Sequence, residues 1–245
     1  MNKIVILAAG KGTRMGLDMP KALVRLNGRS LVSHLAESVF KSGLDDQPIV
    51  VVSPENKSLI SQELSKYNWQ YAVQTEQLGT GHAVKAAKEL IPSACDQIIV
   101  LFCDHPFINS SSIASFASQQ NRRATIMPTE LNDYNDWRYN FYRWGRIIRN
   151  ASGGVEKIVE FKDASPAEIK ITEVNPGFMA FDSNWLWKNI ESLRNDNKQK
   201  EYYLTSLIEI AVKEGHEIGT ISIDAKEAMG INSQEELKIA ESMIF

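Results

Sequence analysis

The sequence predicts an α/β fold, a mixed and mostly parallel sheet with helices on both faces. Two observations carry this prediction: apolar strand candidates recur along the first half of the chain, and helix-like segments separate them. The strand candidates are apolar throughout, which is typical of a parallel sheet covered on both sides. Ligands of such sheets bind beyond the carboxyl ends of the strands, so the residues that follow each strand are the candidates for function.

The predicted elements follow in a regular order. We predict strands at 3–8, 47–53, 69–74, 97–103 and 124–129, and helices between them at 30–43, 58–67, 81–91 and 111–120. Ser30 is the expected N-cap of the first helix, and Gly43 is its expected stop. After about residue 130, the strand candidates 144–150, 155–161 and 173–181 have no helix between them, which predicts an antiparallel extension. Further helices are predicted at 184–193, 202–215 and 233–244, the last capped by Ser233.

The composition excludes several classes of protein. Of the 245 residues, 43% are hydrophobic and 23% are charged, and the net charge is −3, so we expect no nucleic-acid partner. The cysteines Cys95 and Cys103 can form neither a disulfide framework nor a four-sulfur zinc site, and we expect both to be reduced. No stretch approaches the roughly 18 apolar residues of a membrane span. The apolar run at the amino terminus is too short for a signal peptide, and Gly-Lys-Gly-Thr-Arg (10–14) follows it in place of a cleavage site. We therefore expect a cytoplasmic enzyme without a membrane partner.

The first strand ends in a glycine-rich loop, "GKGTR" (10–14), and Lys21 follows a proline soon after. The Walker pattern of phosphate-binding loops is absent. The dinucleotide fingerprint fails because Met15 stands where its third glycine belongs, and because the second strand begins near Gln47, too late for the acidic ribose partner. What remains is an open loop in which glycines bring amides close to phosphate while Arg14 and Lys21 supply charge. A tight turn with solvated cations is the alternative.

Several motifs together resemble one known family. "LAAGKGTRM" and "PKAL" look like the signature of the sugar-1-phosphate nucleotidyltransferases, and further matches arrive in the family's order: "VQTEQLGTGHAV", "LFCDHPF", "GRIIRN", "VEKIVEFKDA", "EVNPGFMAFD", "EYYLTSLIEIA" and "GIN". Over nearly the whole chain, the sequence is similar to the uridylyltransferase domains of bacterial N-acetylglucosamine-1-phosphate uridylyltransferases. The six-residue repeats of their acetyltransferase half do not occur here, so we expect the nucleotidyltransferase part alone.

The resemblance implies a Rossmann-like, GT-A-like nucleotidyltransferase fold in one domain over residues 1–245. Its nucleotide-binding part would cover about 1–128, its sugar-binding part about 129–232, and its C-terminal helix 233–244. The resemblance assigns catalysis to Arg14 and Lys21 and sugar binding to Gly145, Glu160 and Asn175. It assigns nucleotide binding to Leu7, Ala8, Ala9, Gly10, Lys11, Gly12, Thr13, Gln74, Gly79 and Thr80. A side-chain amide such as that of Gln74 suits a pyrimidine edge because it both donates and accepts; a helix N-cap is the alternative for this stretch, and we expect His82 to be structural.

Asp104 ends a buried strand, and a buried carboxylate needs a partner or a metal. Mg²⁺ takes oxygen ligands and keeps several waters, so Asp104 alone is half a site. The resemblance implies Mg²⁺ as the cofactor and supplies Asn232, in "GIN", as the second ligand. A strand cap is the alternative for Asp104.

Three features depart from the family's pattern. Cys103 stands where a glycine is usual, and Pro176 stands where a small hydroxyl residue is usual. The segment 129–144, which we call the insert, is longer and more aromatic than the family's connection. The insert could be a lid over the sugar site, a dimer contact, or a hairpin that packs its own aromatic side chains.

The reaction that the resemblance implies joins UTP to a hexose-1-phosphate, in the first place N-acetylglucosamine-1-phosphate. The products are a UDP-sugar, for the cell envelope, and pyrophosphate. The sugar phosphate is ionised at neutral pH, so its oxygen can attack the α-phosphorus in one in-line displacement. The alternatives are CTP or GTP, another sugar-1-phosphate, or a non-catalytic nucleotide-sugar sensor. The sequence is also compatible with a homo-oligomer.

Overall fold

A computed structural model of the protein describes residues 1–10, 12, 16 and 19–243, and it confirms the predicted fold class. The strands of this part are β1 (Asn2–Leu7), β2 (Arg25–Leu26), β3 (Arg29–Ser30), β4 (Ile49–Val52), β5 (Gln70–Val73), β6 (Gln97–Phe102), β7 (Ala124–Ile126), β8 (Thr129–Glu130), β9 (Gly145–Arg149), β10 (Val155–Val159), β11 (Glu173–Asn175), β12 (Met179–Asp182) and β13 (Gly219–Thr220). The α-helices are α1 (Leu31–Ser42), α2 (Lys57–Glu63), α3 (Thr80–Ala86), α4 (Ser110–Ser115), α5 (Ser183–Asn189), α6 (Ser206–Lys213), α7 (Ala225–Ala228) and α8 (Gln234–Met243). Short 3-10 segments lie at Lys21–Leu23, Lys88–Leu90, Phe116–Gln119, Asp136–Arg143, Glu168–Lys170 and Ile190–Ser192.

A seven-stranded sheet runs through the molecule in the order β13-β7-β12-β6-β1-β4-β5. β1 pairs in parallel with β4 and β6, and β4 pairs in parallel with β5. β12 is antiparallel to both of its neighbours, β6 and β7, which makes the sheet mixed. Because β1, β5 and β6 run in the same direction, the residues that follow them lie at one edge of the sheet.

Helices cover both faces of this sheet. Along β1, Ile4 and Ile6 pack into a core that includes residues of α1, α4 and α8. Val5 and Leu7 pack into a second core with residues of α3, α5 and α6. Successive side chains of a strand point to opposite faces, so the two cores lie on opposite sides of the sheet. The apolar strands of the sequence are therefore strands that are buried on both faces.

The predicted ends of two helices are confirmed. Ser30 Oγ accepts a hydrogen bond from the N–H of Ser33 at 3.2 Å, and Gly43 ends α1 with a φ of 67°. Ser233 Oγ accepts from the N–H of Glu236 at 3.2 Å, ahead of α8. No helix in the described part of the chain is long and apolar enough to cross a membrane.

The antiparallel extension is a second sheet of four strands, in the order β10-β9-β11-β8. The prediction of one strand over 173–181 was wrong, because β11 lies in the small sheet and β12 in the large one. Between them Gly177 has a φ of 101°, and a Cβ there would lie 2.7 Å from the ring of Phe102. Pro176 cannot donate to a sheet ladder, so the strand breaks at this Pro-Gly pair.

The insert is not a hairpin, so that part of the alternative was wrong, although its aromatic side chains do pack against one another. Its first residues form β8, an edge strand of the small sheet, and the 3-10 segment Asp136–Arg143 follows. Arg146, which is fully buried, anchors it. The guanidinium of Arg146 donates to three backbone carbonyls, those of Tyr142, Trp144 and Ile169. It also lies 5.0 Å from the ring centroid of Tyr134, so the partners of this cation are carbonyl oxygens and an aromatic face.

Candidate active site

Two cavities open at the carboxyl edge of the large sheet, where the sequence predicted function. The larger has a volume of about 430 Å³, and the smaller has a volume of about 290 Å³. The two cavities share four lining residues and therefore meet there: Thr80, Phe102, Asp104 and Asn232. Two substrates bound side by side would contact each other at this junction.

Three side chains from distant parts of the chain converge at the junction, and we call them the seam. The ammonium of Lys21 donates to Asp104 Oδ2 at 2.6 Å and to Asn232 Oδ1 at 3.0 Å. Burial is the largest single influence on the pKa of Asp104 and raises it, but the charge and the hydrogen bond of Lys21, together with other nearby groups, outweigh burial and hold this pKa below its ordinary value. Asp104 is therefore a carboxylate at neutral pH.

Backbone contacts hold the two seam oxygens in place. The N–H of Ile231 donates to the carbonyl of Asp104 at 2.8 Å, which ties the loop before α8 to the end of β6. The N–H of Asn232 donates to the carboxylate of Glu236, whose own N–H is bound by Ser233. This reciprocal capping fixes Asn232 at the start of a helix, independently of Lys21.

The seam has the chemistry of a small cation site. Oxygens of Asp104 and Asn232 converge on one positive charge, and oxygen ligands are those that Mg²⁺ prefers. Among the described residues, no group of three or more His, Cys, Asp or Glu could hold a metal ion. Mg²⁺ usually keeps waters and binds substrate phosphates, so two protein oxygens are sufficient. The donor set fits the predicted Mg²⁺, and its binding stays a prediction.

The smaller cavity collects most of the residues predicted to bind the nucleotide: Leu7, Ala9, Gly10, Gln74, Gly79 and Thr80. Ala8 is instead buried in the core, where its carbonyl accepts a hydrogen bond from Asn56 Nδ2 at 2.9 Å. Ala8 therefore positions its neighbours.

A histidine supports Gln74. The side-chain nitrogen Nε2 of Gln74 lies 3.1 Å from His82 Nδ1 and 3.3 Å from the carbonyl of Gly79. Both contacts use the amide nitrogen, which fixes the direction of the amide carbonyl. We expected His82 to be structural, and its place beside the predicted base-reading side chain makes it the support for that side chain.

Two glycines let the turn of the smaller cavity touch a distant segment. A Cβ on Gly79 would lie 2.8 Å from the backbone of Tyr202, and a Cβ on Gly81 would lie 3.0 Å from the carbonyl oxygen of Tyr202. The N–H of Gly81 donates to that carbonyl at 2.8 Å. Thr80 Oγ1 accepts from the N–H of Leu204 at 2.9 Å. Glycine is required at both positions because a side chain would separate the two backbones.

The glycine-rich loop is described only in part. Gly12 has a φ of 63°, and a Cβ there would lie 2.7 Å from the Cβ of Lys21. Glycine at this position therefore lets the loop pack against Lys21. Lys11, Thr13 and Arg14 lie outside the described residues, and their roles stay predictions.

The larger cavity brings together the three residues predicted for the sugar, Gly145, Glu160 and Asn175. The hydroxyl of Thr205 donates to Glu160 Oε1 at 2.8 Å. Burial raises the pKa of Glu160, so this carboxyl holds its proton to a higher pH than an exposed one. Asn175 Oδ1 accepts from the N–H of Gly177 at 3.1 Å, which leaves the amide nitrogen as the donor toward a ligand.

His105 is a wall residue that sequence reasoning missed. Its Nδ1 lies 2.7 Å from the carbonyl of Ala228, to which it donates, and its Nε2 lies 3.9 Å from Asp104 Oδ1. Three aromatic rings pack against its ring: Phe102, Trp144 and Phe178. Burial lowers the pKa of His105, so the ring is neutral and Nε2 is an acceptor. Its only signal in the sequence was its place next to Asp104.

The insert forms one wall of the larger cavity. Among the insert residues that line this cavity, four are spaced by three, four and seven positions: Asp136, Tyr139, Asn140 and Arg143. Such spacing marks one face of a helical segment, and it was a usable signal in the sequence. Asn140 is buried, and its Nδ2 donates to the carbonyl of Gly230 at 3.2 Å, whereas its Oδ1 has no hydrogen-bond partner among the described residues.

The other two departures also border the cavities. Cys103 is buried and lines the smaller cavity, and Pro176 lines the larger. Burial and the adjacent charge of Asp104 raise the pKa of the Cys103 thiol to about 12, so it remains a neutral thiol. Both cysteines are free, as expected. All three departures therefore lie where they can alter substrate choice.

Known proteins share this sequence pattern. A family model described as the MobA-like NTP transferase domain matches residues 4–206. The bifunctional protein GlmU of Clostridium botulinum is 37% identical over 243 residues, which are 98% of this chain and 51% of that protein. GlmU of Clostridium perfringens is 36% identical over 248 residues, 100% of this chain and 52% of that protein. The chain thus spans about half the length of these relatives.

Two solved structures share the fold. The inositol-1-phosphate CTP transferase from T. maritima superposes with a TM-score of 0.75, at 17% identity, over 98% of this chain and 96% of that one. The 4-diphosphocytidyl-2C-methyl-D-erythritol synthase from Anaerococcus prevotii gives a TM-score of 0.68, at 15% identity, over 98% and 94%. These likenesses show the Rossmann-like nucleotidyltransferase fold, and the family model covers most of the chain. The chain therefore belongs to the MobA-like NTP transferase domain family and is a nucleotidyltransferase by family.

Proposed function

We propose that the protein joins UTP to a sugar-1-phosphate, in the first place N-acetylglucosamine-1-phosphate, and releases a UDP-sugar and pyrophosphate. The seam carries this proposal, because Lys21, Asp104 and Asn232 converge where the two cavities meet. Transfer between two substrates requires their phosphates to meet at one point. The seam offers charge and oxygen ligands at that point.

The two cavities suit two different substrates. The smaller one offers glycine backbone and the oriented amide of Gln74, which fit phosphates and a base. The larger one offers Glu160 as a partner for sugar hydroxyls and the amide nitrogen of Asn175 as a donor to a carbonyl. Its volume of about 430 Å³ lies within the usual range for small-molecule sites.

The residues of the chain act by alignment and charge. The attacking oxygen of a sugar phosphate is already ionised, so no side chain needs to remove a proton. Lys21 would stabilise the charge that develops on the phosphates, and Arg14 is proposed to do the same. Mg²⁺ bound by Asp104 and Asn232 would supply further neutralisation and alignment of the phosphates. His105 would orient groups at the edge of the seam as a neutral acceptor.

Features on both sides of the cleft bear on the choice of base and sugar. The motifs resemble those of uridylyltransferases, which favours UTP. One of the structures with the same fold is described as a CTP transferase, and Cys103 alters the nucleotide side of the cleft. Pro176 and the insert alter the sugar side. CTP, GTP and other sugar-1-phosphates are therefore the alternative substrates.

The test is pyrophosphate release in the presence of Mg²⁺, with four nucleoside triphosphates against glucose-, glucosamine- and N-acetylglucosamine-1-phosphate. Preference for UTP with N-acetylglucosamine-1-phosphate is the expected result. Preference for another pair would place Cys103, Pro176 or the insert among the residues that choose the substrate. Nucleotide-sugar binding without turnover on any pair would favour the sensor and contradict the proposal.

A further inference from the structure

Lys21 occupies the position in the seam that a metal ion would take. Its ammonium lies 2.6 Å from Asp104 Oδ2 and 3.0 Å from Asn232 Oδ1, and its side chain is only 16% exposed. Mg²⁺ binds its oxygen ligands at about 2.1 Å. An ammonium and a metal ion cannot both lie between the same two oxygens, because they would overlap and repel each other.

We propose that Lys21 is an internal cation that fills the metal site of the substrate-free enzyme and leaves it when a metal-nucleotide complex binds. This rests on the proposed function, since it takes the seam to be the metal site. In the substrate-free enzyme the ammonium neutralises the buried carboxylate of Asp104. In the loaded enzyme the metal neutralises Asp104, and the ammonium binds phosphate.

The site survives the departure of the ammonium. Asp104 is held through its carbonyl by the N–H of Ile231, and Asn232 is held through its N–H by Glu236. Neither contact involves Lys21. The two oxygens therefore stay together when the side chain of Lys21 moves, and they are ready for another cation.

The ammonium of Lys21 also has a second position within reach. It lines the smaller cavity, which is the proposed nucleotide site. A lysine ammonium sits on a flexible stem and is a movable point charge, so rotation about its side-chain bonds would carry it from Asp104 to a phosphate. Its backbone can stay in place, in the 3-10 turn Lys21–Leu23 that packs against Gly12.

Two consequences follow for metal binding. Among the residues that the structure describes, Asp104 is the ion-pair partner of the Lys21 ammonium. The free metal must displace that ammonium, so it binds weakly to the substrate-free enzyme. A nucleotide gives the ammonium a new partner and thereby strengthens metal binding. Removal of the ammonium should therefore strengthen binding of the free metal, whereas removal of a lysine that bound only phosphate would leave that binding unchanged.

The experiment is a Mn²⁺ titration of the substrate-free protein, in which electron paramagnetic resonance measures the free ion. Lys21→Met should bind Mn²⁺ at least about tenfold more tightly than the wild type, because a charge only a few ångströms from the ion is removed. Lys85→Met is the matched control: Lys85 also donates to a carboxylate, that of Glu191, at 2.6 Å, but outside the seam. Its Mn²⁺ affinity should equal that of the wild type.

Several results would overturn the proposal. Equal Mn²⁺ affinity in Lys21→Met and the wild type would show that the ammonium does not compete, and so would the absence of binding in both proteins. Binding that persists in the double variant Lys21→Met/Asp104→Asn would place the ion elsewhere. If circular dichroism shows that Lys21→Met does not fold, Lys21→Gln takes its place. The titration uses no substrate, so it stands apart from the turnover assay that tests the proposed function.

Discussion

Two cations of this protein, Lys21 and Arg146, are held in opposite ways. Lys21 binds side-chain oxygens of Asp104 and Asn232 at the junction of two open cavities. Arg146 is fully buried and binds backbone carbonyls and aromatic rings at the base of the insert. The partners of Lys21 can accept another cation, whereas the partners of Arg146 are the main chain that it holds. The seam can thus exchange one cation for another, whereas Arg146 holds the insert in a fixed position.

The largest effect should come from the seam. Asp104→Asn removes the charge that holds Lys21 and binds the proposed metal, so turnover should fall by about 10²–10³-fold. The fold should remain, because the carbonyl of residue 104 still accepts from Ile231. Initial rates of pyrophosphate release measure the first effect and thermal unfolding the second. Near-normal turnover would remove the seam from catalysis and end the contrast with Arg146.

The next largest effect should come from the anchor of the insert. Arg146→Met leaves three backbone carbonyls without their donor, and the free energy of unfolding should fall by about 3 kcal/mol. Arg149→Met is the matched control from the same strand, since Arg149 forms a more exposed pair with Glu173. That pair should contribute less than about 1 kcal/mol. Urea unfolding compares the two variants, and equal losses would show that Arg146 is no special anchor.

A smaller, pH-dependent effect should come from Glu160. Burial raises its pKa above the ordinary 4.5, so the folded protein retains a proton that the unfolded chain has already released. The stability that Glu160 contributes is therefore complete below pH 4.5 and is lost as the pH rises through the folded-state pKa. Glu160→Gln cannot ionise and should lack this loss. Urea unfolding of both proteins from pH 4.5 to 7.5 should show the wild type losing stability relative to the variant; parallel curves would contradict this.

The smallest effect should come from Lys200, outside both regions. It has a φ of 58°, where a side chain is strained, and it is exposed in the loop that leads to Tyr202. Lys200→Gly should stabilise the protein by about 1 kcal/mol, without change in turnover. Thermal unfolding measures this, and a loss of stability would mean that the lysine side chain makes a contact worth more than the strain.

The parts of the molecule differ in how far the sequence predicted them. The parallel strands were readable because double burial leaves continuous apolar runs, as in Ile4–Leu7. Asp104 was readable as a polar residue at the end of such a run. Its meeting with Asn232 was not, because no local pattern joins residues that far apart in the chain; only the resemblance implied the pair. The contact with Lys21 is a product of the tertiary fold.

Other features ran against local rules. Arg146 was indistinguishable from an exposed arginine, because its aromatic and carbonyl partners come together only in the folded protein. The break at Pro176 and Gly177 was visible as a turn signal inside an apolar run, yet the run itself favoured one strand. The helical spacing in the insert was also present in the sequence, but the aromatic residues left a lid, a dimer contact and a hairpin open.

The glycines beside Tyr202 have a consequence for how this protein can change under mutation. Positions 79 and 81 cannot accept a side chain without parting the turn of one cavity from the segment that leads to the other. A random library should therefore return only glycine at both positions, whatever substrate is selected. The exposed positions on the cavity side of the insert, such as Tyr139 and Arg143, carry no such restriction. New substrate preferences should accumulate on that wall while the turn remains invariant.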